Sequence, residues 1–507
     1  MNGRRRALRW RARRLRASAR RRVREATPFL KPVLTLVGGT AAAQALVFAA
    51  RPVLTRLYTP EAFGVLTVFV TLVGLVRTVA TGRYEDAVLL PKRDEDAAAL
   101  LALATGLAAC TAAGLALLLP WRDGVAALMG EPAAAAALVL LPPTVLLGVT
   151  GLALEVWHTR FGRFRLLSTA WLAQSGVAVL VQLGAGALAA FGIWQADGFA
   201  LVAGAALGFA ALFGVLGVAA ARQVRRLGGF GWADVRRLAA RYGRFPRFTA
   251  PAALLNTLGS RAPVLLLAAL FGSGPVGQFG VAFGSLALPL GVLTGAVGQV
   301  YGRDGAEAVR AGRLGPLALR VTRGLLAVVA YPALAVAVTG PALFAFVFGD
   351  VWAEAGRYAQ AVSAWAALAA VAVPLTRTFD LAERQRADLA FSVFMGAVLA
   401  AVLVVAGQRL DALGTVWAAG VAGAVLRALH VGWILRIAGA PLLPALRYAL
   451  WAVLVAAACA ALPAAALALG IGGWGMMGGL VIGGLLYAAL VVRRELRPAP
   501  PEALLES

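Results

Sequence analysis

This sequence predicts an all-α polytopic membrane protein with about 14 transmembrane helices, the fold class being carried by three observations. Of its 507 residues, 61% are hydrophobic and 14% charged, against roughly 45–50% apolar and a quarter charged in soluble domains. The apolar residues fall in repeated blocks of roughly 20, the length that crosses a bilayer core. The basic residues sit between the blocks, and their density alternates from one connection to the next. With a mean hydropathy of +0.81, the chain is not a soluble enzyme, a secreted scaffold or a disordered polypeptide.

Residues 1–28 form a basic segment lacking the apolar core and small-residue cleavage site of a secretory signal. Within it Leu8, Ala12, Leu15, Ala19 and Val23 recur at helical spacing with Arg on the other faces. That pattern suits a plain topology anchor or an amphipathic helix on an anionic leaflet; a transit peptide and an RNA-binding arm are further readings. The apolar blocks then place spans at 30–50, 64–84, 97–120, 132–154, 167–190, 197–220, 249–271 and 276–300. The remainder are 318–340, 358–376, 387–407, 412–434, 448–469 and 472–492. Grouped, they give a first lobe at 29–221, a basic linker at 222–248, a second lobe at 249–437, two further helices at 438–492 and a tail at 493–507.

The formal net charge of +25 invites a nucleic-acid reading, but its distribution answers to topology. With the N-terminus in the cytoplasm and sides alternating, 40 of the 48 basic residues fall in cytoplasmic segments and five on the other side. This is the positive-inside bias. A missed helix would invert it downstream, so it supports an even number of spans and two cytoplasmic termini. Nucleic acid is not an expected partner. Cys110 and Cys459 each fall within an apolar block, where small-residue packing is their expected role. No metal site and no cofactor is expected.

A short internal repeat marks the two lobes. Arg51-Pro52-Val53-Leu54, a turn at Thr59-Pro60-Glu61 and Gly64 are echoed by Arg261-Ala262-Pro263-Val264-Leu265, a turn at Gly272-Ser273-Gly274-Pro275 and Gly277. Each copy begins a block of six spans, as in many transporters. Gly475, Gly479 and Gly483 make a small-residue packing face, within the monomer or between two copies. Prolines such as Pro142, Pro143, Pro289 and Pro374 are candidate kinks.

At this point the residues resemble a family. Leu54-Thr55-Arg56-Leu57-Tyr58-Thr59-Pro60-Glu61-Ala62-Phe63-Gly64 is similar to the end of the first helix in bacterial polysaccharide-transport (oligosaccharide flippase) proteins. Arg83-Tyr84-Glu85-Asp86-Ala87-Val88-Leu89-Leu90-Pro91, Arg241-Tyr242-Gly243-Arg244-Phe245-Pro246 and Phe348-Gly349-Asp350-Val351-Trp352-Ala353-Glu354-Ala355-Gly356 resemble later motifs in order. The family belongs to the multidrug/oligosaccharidyl-lipid/polysaccharide exporter superfamily. The resemblance implies two six-helix lobes around a central cavity that opens alternately to either side. It implies a polyprenyl-diphosphate-linked oligosaccharide as substrate, a polysaccharide or O-antigen precursor, and hence the bacterial inner (plasma) membrane. Membrane lipids and polysaccharide-assembly proteins are the other expected partners.

Ionisable groups at bilayer depth are the candidate site, because each costs at least ~2.5–3.5 kcal/mol there unless it faces water or a partner. Arg261, with about eleven mostly apolar residues on each side, is the first candidate for diphosphate binding; Arg51, Arg77 and Arg83 follow. Guanidinium suits that role because its planar fork bonds phosphate oxygens bidentately and stays charged when desolvated. The competing structural readings are snorkelling for Arg51 and Arg77, pairing of Arg83 with Asp86 or Glu85, and pairing of Arg261 with a helix carbonyl. Glu85 and Asp86 are the only acids expected inside a span; Glu155, Asp197 and Asp380 fall at span ends. Scarce acids favour an anionic cargo, and any ion coupling is expected to run through Glu85 and Asp86. His158 and His430 are expected to be solvated or capping. Alternatives are a flippase for a lipid-linked peptidoglycan precursor, a cation-coupled drug exporter, and a membrane-embedded polysaccharide polymerase or ligase. For the last, no large outer loop gathers acid, base and nucleophile, so a transporter rather than an enzyme is expected.

Overall fold

The computed structural model describes residues 38–128, 134–193 and 197–495. The basic N-terminal segment, the start of the first expected span and the end of the tail lie outside the described residues. The described residues are almost wholly helical, with fourteen long helices among them: α1 (38–57), α2 (Pro60–Val79), α3 (Asp94–Leu117), α4 (Leu141–Arg160), α5 (Phe164–Ala190), α6 (Gly198–Val224) and α7 (Ala250–Phe271). Then follow α8 (Ser273–Arg310), α9 (Leu314–Phe348), α10 (Ala353–Leu375), α11 (Gln385–Gly407), α12 (Ala412–Ile437), α13 (Leu442–Ala468) and α14 (Gly472–Glu495). Twelve helices among the described residues are long and apolar enough to cross a membrane. The other two expected places, the first and fourth, are held by α1 and α4.

Helix ends follow local chemistry. Thr59 caps α2 by accepting from the Ala62 N–H at 3.4 Å, with Pro60 in the first turn. The helix therefore starts a turn earlier than Gly64, where the apolar block opens, because Pro is preorganised for the first helical position. Gly272, at φ 78°, closes α7 and lets α8 begin at once, a backbone conformation that favours glycine. Asp197 and Asp411 cap α6 and α12 by accepting from Ala200 N–H (3.1 Å) and Gly414 N–H (2.8 Å).

The same packing pattern occurs twice, six helices apart. In the first set α3 packs on α4, α4 on α6, and α5 on α6; in the second α9 packs on α10, α10 on α12, and α11 on α12. The α1 end meets Gly186 of α5 through Leu57 and Tyr58, and the α7 end meets Gly407 of α11 through Leu270 and Phe271. The repeat noticed in Arg51–Gly64 and Arg261–Gly277 thus extends to whole bundles. Helices α13 and α14 pair with each other and lie against α9. Gly479 abuts Pro463, and Gly483 abuts Cys459 and Tyr331, so the glycine row packs within the chain.

Connections carrying most of the arginines emerge on one face, called here the basic face. There the bundles have separate cores, one around Trp157, Leu167, Leu216 and Leu238, the other around Tyr301, Leu375, Phe379 and Ile434. Toward the opposite face a single core takes residues from both, including Leu54, Phe63, Val276, Phe279, Phe348 and Trp352. On the basic face the α3 start is tied to two neighbours: Arg237 of the amphipathic helix Trp232–Arg241 pairs with Asp96, and Arg160 at the end of α4 with Asp94, both at 2.9 Å.

Three expectations are corrected. His158 and His430 are buried, not solvated: His158 Nε2 lies 3.0 Å from the Leu216 carbonyl, and the His430 ring stacks on Phe391 at 4.3 Å. Both sit near helix ends, yet neighbouring helices continue past them and close off water. Cys110 is exposed on the outer surface of α3, while Cys459 is buried; an apolar block predicts membrane depth but not which helix face turns inward. The first helix runs past the expected bound of 50, to residue 57, and so holds Arg51 within α1 rather than at its end.

Candidate functional site

The two bundles meet along α1, α2, α7 and α8. At the face opposite the basic one, α2 and α8 cross so closely that a Cβ on Gly64 would strike the Ser273 carbonyl, and one on Gly277 the Pro60 carbonyl. These are the paired glycines of the internal repeat. Beside them Trp352 Nε1 donates to the Thr55 carbonyl (2.7 Å), and its indole meets Phe63 edge-on at 5.1 Å. Arg56 Nη1 donates to the Val347 carbonyl (2.7 Å) and Nη2 to Phe346 (3.1 Å), satisfying carbonyls that the end of α9 leaves open. Helix α1 of the first bundle is thereby fastened to the second.

Deeper along the seam, α2 and α7 run antiparallel. Thr78 Oγ1 and Thr257 Oγ1 are 3.2 Å apart, and one turn away the Arg261 guanidinium lies beside Gly74. Arg261 is exposed and makes no hydrogen bond or ion pair among the described residues. It is ten residues before Phe271, about 15 Å along the helix axis and so near the middle of a ~30 Å hydrocarbon core. Arg51 is the related residue of the first bundle and reaches the other way, onto α8. Its Nη1 donates to Ser285 Oγ at 3.2 Å and the Val281 carbonyl at 3.5 Å, against Gly284. Each arginine thus crosses to the second helix of the other bundle and rests on a glycine. Arg51 is satisfied by neutral acceptors; Arg261 is not.

The other two candidates are placed differently. Arg77 turns into the first bundle, its guanidinium 5.3 Å from the Phe209 ring of α6, and interacts electrostatically with Glu155. Glu155, expected at a span end, lies more than a turn inside α4 and accepts from Trp171 Nε1 at 3.1 Å. No sequence signal singled it out, since one acid near a helix end looks like an interfacial residue. Arg83 is in the connection after α2, in a left-handed conformation at φ 63°, with Nη2 2.8 Å from Asp86 and Nη1 3.7 Å from Glu85. The expected Arg83–Asp86 pairing is present. Glu85 is 1% exposed and accepts from Thr81; burial pushes its carboxyl up from the ordinary range against the Thr81 hydrogen bond and the Arg83 charge. The structure therefore brings Arg51 and Arg261 to the seam, and sets Arg77 within a bundle and Arg83 on the basic face. Among the described residues no His, Cys, Asp and Glu cluster could hold a metal.

A family model described as polysaccharide biosynthesis protein matches residues 53–357, a stretch that begins just after Arg51 and holds Arg77, Arg83, Arg261 and the α2–α8 crossing. No curated protein matches the chain. Among solved structures it is similar to the lipid II flippase MurJ in an inward closed conformation, with a TM-score of 0.69 at 10% identity, covering 91% of this chain and 99% of that one. It is also similar to an inward-facing multidrug resistance MATE family transporter of the MOP superfamily, with a TM-score of 0.53 at 15% identity, covering 78% and 95%. At these identities the likeness is one of fold.

Proposed function

We propose that this chain, which belongs to the polysaccharide biosynthesis protein family, is a flippase for a polyprenyl-diphosphate-linked oligosaccharide. The sugar lipid enters between the two bundles from the basic face, taken as cytoplasmic in a bacterial inner membrane, and leaves toward the outer leaflet by alternating access. Both termini are cytoplasmic in this reading. The lobes are 29–221 and 249–437, joined by the basic linker 222–248, with 438–492 as an added hairpin. The protein performs no covalent chemistry, and polysaccharide-assembly proteins supply and consume its cargo.

The observation that carries the proposal is Arg261: mid-helix, beside Gly74, exposed and without a hydrogen-bond or ion-pair partner among the described residues. A lone guanidinium at that depth is costly, and a diphosphate supplies bidentate acceptors with at least two negative charges. Arg51 of α1, on the same seam, is the second diphosphate ligand, exchanging Ser285 and the Val281 carbonyl for phosphate oxygens. Arg77 and Arg83 guide the diphosphate in, each releasing its present partners. Bundles joined at one face and separate at the other support the direction of entry.

The test is translocation of a lipid-linked oligosaccharide in proteoliposomes, with protein level and thermal stability measured alongside. Arg261→Lys keeps charge but loses the fork and is expected to transport partially; Arg261→Ala is expected to fold and hardly transport. Near-normal transport by folded Arg261→Ala would refute the assignment. The fold likeness to a lipid II flippase favours one second reading, a lipid-linked peptidoglycan precursor with the same diphosphate. Presenting both sugar lipids to the same vesicles separates the two. Any proton or sodium dependence is assigned to Glu85 and Asp86, and strong coupling persisting in Glu85→Gln, Asp86→Asn would refute that.

A further inference from the structure

The seam between α9, α13 and α14 at the basic face holds a second arginine cluster, remote from α1, α2, α7 and α8. The guanidinium carbon of Arg494, at the end of α14, lies 4.1 Å from the Trp451 ring centre and 4.9 Å from that of Tyr448, both in the first turns of α13. Arg323 of α9 lies 5.8 Å from the Tyr448 ring centre, and the two rings are tilted together at 5.5 Å. We propose that this arginine–aromatic cluster is a binding site for the headgroup of an anionic phospholipid in the leaflet at the basic face.

Both guanidiniums carry unused donors. A guanidinium held by its face on an aromatic ring keeps its in-plane N–H groups pointing along the ring edges. Neither Arg323 nor Arg494 has an ion pair or hydrogen bond among the described residues, and the Arg323 Nε is buried without an acceptor. A buried donor of that kind calls for an acceptor, which none of the described residues supplies. More positive charge surrounds the pair, for Arg320, Arg447 and Arg493 are exposed within one turn of it along the three helices. The adjoining acid is Glu495, whose side chain lies outside those described. The Gly315 backbone packs on the Gly439 carbonyl, just ahead of α13, so the arginines stand where three helix ends converge.

A lipid fits this place better than free phosphate. Along α13 the exposed Leu446, Leu450 and Leu454 follow one another at single-turn spacing, an apolar surface of the same helix open to acyl chains. Trp and Tyr with arginine at a helix end also mark the membrane interface, and basic pockets between helices there suit acidic headgroups. The site is independent of the transported cargo.

The full-length protein in phosphatidylcholine nanodiscs, with and without phosphatidylglycerol, is the test. Phosphatidylglycerol is expected to raise the thermal midpoint and to remain bound in native mass spectra. The double variant Arg323→Gln, Arg494→Gln is expected to match the parent in pure phosphatidylcholine yet to lose that response and bind phosphatidylglycerol at least tenfold more weakly. Arg494→Lys should keep part of it, and Glu495→Gln and Arg261→Ala all of it. An equal response in the double variant, a drop of its midpoint in pure phosphatidylcholine to the same degree as in phosphatidylglycerol, or a full response to inorganic phosphate alone would each overturn the proposal. If the double variant does not fold, the exposed Arg447→Gln takes its place in the mass measurement, with weaker phosphatidylglycerol retention expected and unchanged retention counting against the site.

Discussion

Single residues differ here chiefly in what compensates their charge. Arg51 has a hydroxyl and a carbonyl, Arg83 two carboxyl groups, Arg77 an aromatic face and the field of Glu155, and Arg261 no hydrogen bond or ion pair among the described residues. Glu85 is the opposite case, an acid whose burial disfavours ionisation more than Arg83 and Thr81 favour it. A carboxyl with a raised value in the folded state contributes stability that is present at low pH and is lost as pH rises through that value. Glu85→Gln should therefore be nearly neutral at pH 4 and should melt no lower than the parent at pH 8. A midpoint that falls more at pH 8 than at pH 4 would show instead that the ionised carboxylate stabilises the connection after α2.

At the scale of the element, repetition lets one half check the other. Asp197 and Asp411 cap equivalent helices with equivalent bonds, so Asp197→Ala and Asp411→Ala should lower stability by similar amounts, typically ~1 kcal/mol for an N-cap. Their shifts in thermal midpoint can be compared in the same detergent; a shift confined to one of them would mean that the caps bear unequal load. Although α2 starts at Pro60, a turn ahead of the expected Gly64, the starts of α6 and α12 were readable at 197 and 412, since capping depends on a few neighbouring residues. The end of α1 was not, because an arginine inside a helix and one beyond it look alike until the partner on α8 is in place.

For the whole molecule, the crossing of α2 and α8 decides which face is shut. Valine at Gly277 would drive its side chain into the Pro60 carbonyl and push the bundles apart at that face. In a background of Cys110→Ala and Cys459→Ala, a reporter Phe63→Cys is buried there and should label slowly with a water-soluble maleimide. Gly277→Val should speed labelling roughly tenfold by favouring the state open at that face, whereas Gly214→Val, with open space around it, should not. Unchanged labelling in Gly277→Val would remove this crossing as the closing contact.

Apolar block length, the alternation of basic connections, capping residues and the repeated Arg–Pro–turn–Gly unit are local properties, and by themselves they determined the helix order and its doubling, because a bilayer penalises any other arrangement of such blocks. The same local view ranked Arg261 first on depth alone. Which way each helix face turns was decided only by packing. That choice buried His158 and His430, put Cys110 outside, turned Arg77 toward Phe209, set Glu155 against Trp171 and aimed Arg51 and Arg261 across the seam. Two residues far apart in the chain compete for one partner only after the helices have met, and hydropathy, summed over a block, carries no record of that direction.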